Sequence, residues 1–200
     1  MSHEYVRAAL EDARRALENL LADDRMLAAV DKAADLMAET IRTGGRIFSC
    51  GNGGSLCDAM HFAEEMTGRY RQNRPAYGAT AIADASHLAC VANDFGYEEV
   101  FSRYIEGCAR PGDLLLGIST SGTSKNVLRA VRTAQKLGLK TVALTGRADA
   151  PIAEEADLAI VTPAGRWADR VQELHIKCIH ILIEGVERRL NPENYSDACR

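Results

Sequence analysis

From residue 46 onward the chain repeats one unit, a short, mainly apolar run without alternation followed by a stretch with helical spacing. The runs are 46–50, 79–83, 113–118, 140–145 and 157–161. A strand with one wet face alternates apolar and polar residues, and these do not, so each is expected to be covered on both faces of a parallel sheet. Helical patterns at 56–69, 86–92, 97–109, 124–138, 150–156 and about 167–190 supply the crossovers. The pattern predicts an α/β fold, a doubly wound five-stranded parallel sheet flanked by helices, with ligands at the carboxyl ends of the strands. Two hundred residues suit one domain, and no internal repeat or linker divides them.

Ahead of the first strand lie two amphipathic patterns. Val6, Leu10, Ala13, Leu17, Leu20 and Leu21 place an apolar stripe on a helix over 5–21. Met26, Leu27, Val30, Ala34, Met37 and Ile41 do the same over 24–43, with Gly44-Gly45 as the stop. This is more apolar face than one sheet needs. The pair (residues 1–44) is expected at an oligomer interface, with a cover over the sheet as the alternative, and residues 45–190 form the core. The tail 191–200 is expected to fray.

A net charge of −4 with no basic block argues against nucleic-acid binding. No apolar run approaches the length that spans a bilayer, and the polar N-terminus has no secretory pattern, so no membrane partner and a cytoplasmic location are expected. The six cysteines include no C-x-x-C pair and mostly sit in apolar segments. They read as buried free thiols of a reducing compartment. Cys50 and Cys57 flank a glycine turn without an evident base to activate them.

That turn is Ser49-Cys50-Gly51-Asn52-Gly53-Gly54-Ser55, directly after the first strand. Glycines let the main chain take positive φ and approach a ligand, and the positive end of the following helix favours an anion. Ser55 with Asp58 three residues on reads as a capping box. The spacing fits neither G-x-G-x-x-G nor a P-loop, so a small phosphorylated ligand is expected before a nucleotide. On the same helix His61 and Glu65 stand four apart and share a face. They suit metal ligation or proton transfer, and equally the exposed face of an ordinary helix.

The third strand runs into Ser119-Thr120-Ser121-Gly122-Thr123-Ser124, five hydroxyls around one glycine at a helix start. One hydroxyl would serve as an N-cap, and five make a phosphate cradle. Lys125 either adds charge or is solvated.

Leu115-Leu116-Gly117-Ile118-Ser119-Thr120-Ser121-Gly122 resembles the phosphate loop of the sugar isomerase (SIS) superfamily. The segments Ser49–Ser55, Cys57–Glu65, Thr67–Arg71, Ala92–Gly96 and Asp169–Lys177 resemble the phosphoheptose isomerases within it, over nearly all of residues 5–190. The chain departs from relatives at Leu56 and Thr123, which bears on substrate preference. In the last helix, spacing alone nearly eclipses Glu173 with His180 and sets Gln172 about 80° away. The resemblance instead implies a zinc site of His61, Glu65, Gln172 and His180. His175 and His87 are read as surface or interface residues.

The resemblance further implies Glu65 as the base and His180 as the acid in converting sedoheptulose 7-phosphate to D-glycero-D-manno-heptose 7-phosphate through an enediol. That is the first step toward an activated heptose. Asn52, Gly53, Gly54, Ser55, Asn93, Asp94 and Gln172 would bind the sugar together with Glu65, and Ser119, Thr120, Ser121 and Ser124 the phosphate. Asp169 and Arg69 would support the site. A homotetramer with sites at subunit interfaces is implied as well. Two other classes compete: a non-catalytic relative that binds a replication initiator protein, and a sugar-sensing regulator. The first would lack the Glu65–His180 pair, and the second needs a DNA-binding module that two neutral-to-acidic helices do not supply.

Overall fold

The computed structural model describes residues 3–196. Five parallel strands, β1 (Ile47–Cys50), β2 (Ala79–Ala81), β3 (Leu114–Ser119), β4 (Lys140–Thr145) and β5 (Leu158–Val161), form one sheet in the order β2-β1-β3-β4-β5. The order reverses between β1 and β3, which are paired from Ile47 with Leu114 to Cys50 with Gly117. Connections leave this point to opposite faces, so a crevice opens at the carboxyl ends of β1 and β3.

Side chains along the strands alternate between two cores. Ile47, Leu114, Leu116, Ile118, Val142 and Leu144 face α1 (Glu4–Leu21), α2 (Asp24–Arg42), α3 (Gly54–Thr67) and α8 (Ala168–Leu190). Phe48, Cys50, Leu115 and Ala143 face α4 (Ala85–Phe95), α5 (Ser102–Cys108), α6 (Lys125–Lys136) and α7 (Pro151–Glu155). Both faces are dry, which is why the runs carry no polar alternation. Gly117 lets α6 come close, because a Cβ there would lie 3.1 Å from Val127.

Several expected boundaries move. The helix expected over 86–92 runs to Phe95 and carries Asn93 and Asp94 on its last turn. The one expected over 97–109 breaks into a 3-10 turn at Tyr97–Glu99 and α5. The Ser55–Asp58 capping box does not form. Gly53 takes the cap position with no side-chain bond, Ser55 is buried inside α3, and Asp58 Oδ2 is buried with no partner. The tail docks through Tyr195, whose hydroxyl donates to Glu187 at 2.7 Å, while 197–200, with Cys199, lie outside the described residues.

Cys50 and Cys178 are buried, and burial pushes both thiols up to about 12, but Cys57, Cys90 and Cys108 are exposed. His87 is half-buried: its Nε2 lies 2.9 Å from the carbonyl of Val100 and its ring stands edge-on to Tyr104. His175 is fully buried, with neither ring nitrogen hydrogen-bonded. Its helix packs that face on the sheet, and a lone histidine on it is carried into the core.

Candidate active site

The glycine turn leaves β1 and starts α3 without a polar cap. Gly53 has φ +54°, and a Cβ on Gly51 would fall 2.6 Å from the carbonyl of Ser55. Only glycine makes so tight an entry. A Cβ on Gly54 would lie 2.6 Å from Gln172 Nε2, so the Gln172 amide rests directly on the turn. Asn52 and Asn126 exchange two amide hydrogen bonds of 2.9 and 2.8 Å, which tie the turn to the first residues of α6. Tyr97 donates to the same Asn52 oxygen at 3.0 Å. The Asn52 oxygen thereby accepts twice within the protein, while Nδ2 keeps one N–H beyond its bond to Asn126.

Beside the turn, the serine loop enters α6 at Ser124. Ser119 Oγ donates to Ser124 Oγ at 3.0 Å and accepts from the Gly122 N–H at 3.1 Å. Ser121 and Thr123 share a 3.1 Å contact on the exposed rim. Gly122 has φ +67° and sits on Ala150 and Thr145, where a Cβ would meet Ala150 Cβ at 2.3 Å. No side chain caps α6, so its N-terminal dipole opens onto the loop. Lys125 does not serve the loop: its Nζ is 3.0 Å from Glu98.

One turn deeper in α3, His61 Nε2 faces His180 Nε2 of α8 across 2.8 Å, and Glu65 Oε1 lies 3.9 Å from the same His61 nitrogen. His61 Nδ1 lies 3.0 Å from Glu64. Such a carboxylate fixes the ring's tautomer and aims Nε2 into the cluster. Tyr70 lies alongside His180, ring centres 5.9 Å apart. Burial, and next the neighbouring His61, hold His180 below the ordinary histidine range, with Glu65 opposing them. Asp58, one turn before His61, is pushed by burial up to about 6. Glu65, His61 and His180 therefore meet from helices more than a hundred residues apart in sequence. His61, Glu64 and Glu65 together form a group able to hold a metal ion.

The remaining expected residues divide. Gln172 joins the glycine turn, and Glu173, the alternative from spacing, is bound to Arg170 at 2.5 and 2.6 Å. Asn93 and Asp94 are exposed and bonded to each other at 2.8 Å, with no hydrogen bond to either loop. Arg69 bonds Asn73, and Asp169 accepts from the Arg170 N–H. Asn126, Glu64 and Tyr70 were not singled out from sequence. Glu64 carries a signal, three residues after His61, whereas nothing in the local pattern marks Asn126.

The family model for the SIS domain matches residues 10–146. A phosphoheptose isomerase of Yersinia pestis (strain Pestoides F) is 53% identical over 190 residues, 95% of this chain and 98% of the relative. The chain belongs to the phosphoheptose isomerase family of SIS-domain proteins. A phosphoheptose isomerase of Yersinia enterocolitica is 52% identical over the same share of the chain. Among solved structures, that of phosphoheptose isomerase from Neisseria gonorrhoeae superposes with a TM-score of 0.86 at 37% identity, covering 92% of this chain and 98% of that one. The Francisella tularensis phosphoheptose isomerase gives 0.86 at 28% identity, covering 94% and 99%.

Proposed function

We propose that this family member is an aldose–ketose isomerase acting on sedoheptulose 7-phosphate to give D-glycero-D-manno-heptose 7-phosphate. The observation that carries the reading is the His61–Glu65–His180 cluster, built on the helix that the glycine turn starts. The loop's hydroxyls and the α6 dipole hold the phosphate, and Ser55 and the turn backbone with Gln172 hold the sugar. Glu65 takes a proton from C1 of the ketose while the C2 oxygen gains one through His180. The C1 hydroxyl then gives its proton back to His180, and the Glu65 carboxyl returns the one it holds to C2. Protons balance across an enediol, and positioned acid–base groups of this kind supply ~10²–10⁴ in rate.

The donors fit zinc: two imidazole nitrogens 2.8 Å apart, a carboxylate beside them, and a second carboxylate on the far nitrogen of His61. His61, Glu65 and His180 would hold the ion, with Gln172 as a fourth donor from the glycine turn. Bound there it supplies positive charge against a developing oxyanion, which is worth several kcal/mol. Asn93 and Asp94 serve the site of a neighbouring copy in a homotetramer. The helical pair packs between copies, since α1 leaves Tyr5, Leu10 and Leu21 about two-thirds or more exposed.

The test is turnover of sedoheptulose 7-phosphate by the purified protein, with metal content measured on the same sample. Glu65→Gln is expected to lower kcat by ~10²–10⁴ with an unchanged melting temperature. Near-normal turnover by that variant removes Glu65 as the base, and full activity after chelation removes the metal role of His61.

A further inference from the structure

A phosphate monoester brings up to two negative charges, yet the serine loop holds it with dipoles alone. The loop's adjacent cation, Lys125, is bound to Glu98, which also receives Arg129 at 2.8 Å. Thr120 and Ser121 form one wall of a cleft of about 230 Å³ whose other wall is the turn before α8, with Arg147, Arg166, Trp167 and Ala168. Of the two arginines, Arg147 is chelated by Asp149 at 3.2 and 2.9 Å. Arg166 has no carboxylate at ion-pair distance among the described residues.

Its guanidinium instead lies over the Trp167 ring, 4.8 Å from the ring centre. Stacking uses the face of the guanidinium and leaves its in-plane N–H donors pointing outward. Trp167, at the cap position of α8, supplies no cap bond, so the first turn of a 23-residue helix opens at the same place. The nearby carboxylate of Asp169 is taken up by the Arg170 N–H at 2.8 Å and its guanidinium at 3.7 Å. Arg166 is thus an exposed, preorganised cation across a narrow cleft from phosphate-binding hydroxyls.

We propose that Arg166 is a substrate-binding residue, a guanidinium that grips the sugar's phosphate from the side opposite the serine loop and is held in place by Trp167. This deepens the isomerase reading and rests on it only for the identity of the sugar. A planar fork that binds two phosphate oxygens adds affinity and fixes the phosphate's orientation.

The experiment compares wild type with Arg166→Gln, Arg166→Lys and Arg147→Gln, in two measurements. In steady-state isomerisation, Arg166→Gln is expected to raise KM about tenfold with kcat within about twofold, the mark of an interaction equal in ground and transition states. Arg166→Lys is expected to recover part of the loss, and Arg147→Gln to stay near wild type. In calorimetric titration with inorganic phosphate, Arg166→Gln is expected to weaken binding about tenfold. The titration needs no turnover: if wild type binds phosphate but does not isomerise the heptulose phosphate, the substrate reading fails while Arg166 is still judged. Equal phosphate affinity in wild type and Arg166→Gln, or no phosphate binding by wild type, overturns the proposal.

Discussion

The sharpest stability prediction concerns Glu187, wholly buried and paired with the wholly buried Arg74 at 2.8 Å. Arg74 also donates to the carbonyls of Glu65 (2.6 Å), Met66 (2.7 Å), Gly68 (3.0 Å) and Pro75 (3.2 Å), with its guanidinium over the Tyr77 ring at 4.1 Å. It therefore closes the C-terminal turn of α3, the turn that carries Glu65. Glu187→Gln preserves the shape and leaves a guanidinium buried without a counter-charge. Breaking one side of such a pair costs about 3–5 kcal/mol. For a chain of this size each kcal/mol lowers the melting temperature by about 2–4 °C, so a fall on the order of 10 °C is expected. Thermal unfolding followed by circular dichroism is the assay, with Arg74→Met alongside. Arg74→Met strands several carbonyls of α3 as well, and is expected to lower kcat at temperatures where it remains folded. A Glu187→Gln melt within about 2 °C of wild type would refute the reasoning, because only a well-solvated pair is that cheap to break.

Two further outcomes are expected. Gly54→Ala drives a methyl into the Gln172 amide, and since that contact lies at the turn rather than in the core, kcat/KM is expected to fall at least tenfold with little loss of melting temperature; unchanged kinetics would detach Gln172 from the site. Burial lowers His175 from 6.5 to about 4, so the unfolded chain takes up a proton before the folded one and stability is lost as pH falls from about 6.5 through about 4. The total is about 3 kcal/mol, so His175→Leu is expected to flatten the pH dependence of denaturant unfolding between pH 7 and 4.5; parallel curves for the two proteins would exclude His175 as its source.

The sheet was legible because burial on both faces writes continuous apolar runs, and both loops were legible because glycine and serine have few other uses between a strand and a helix. What sequence spacing did not carry was the third dimension of the helices. His175 shares helix α8 with His180, and only the packing of that helix decides which enters the core. Glu173 looked the better partner for His180 on angular grounds, but Arg170 one turn earlier holds it. The Asn52–Asn126 clasp joins residues 74 positions apart, which no local pattern reports. Asn93 and Asp94 make no hydrogen bond to either loop and bond each other instead, which no periodicity in the sequence reports.

Helix α8 also sets a measure. Gln172 at the glycine turn and His180 beside His61 ride on one uninterrupted rod, eight residues and so about 12 Å apart. No hinge lies between them, so the interval between the two positions is fixed. Inserting a single residue would swing one of the two away by about 100°. Any adjustment of spacing must therefore come from the turns at either end, at 51–54, 119–124 and 163–167, while the rod keeps its gauge.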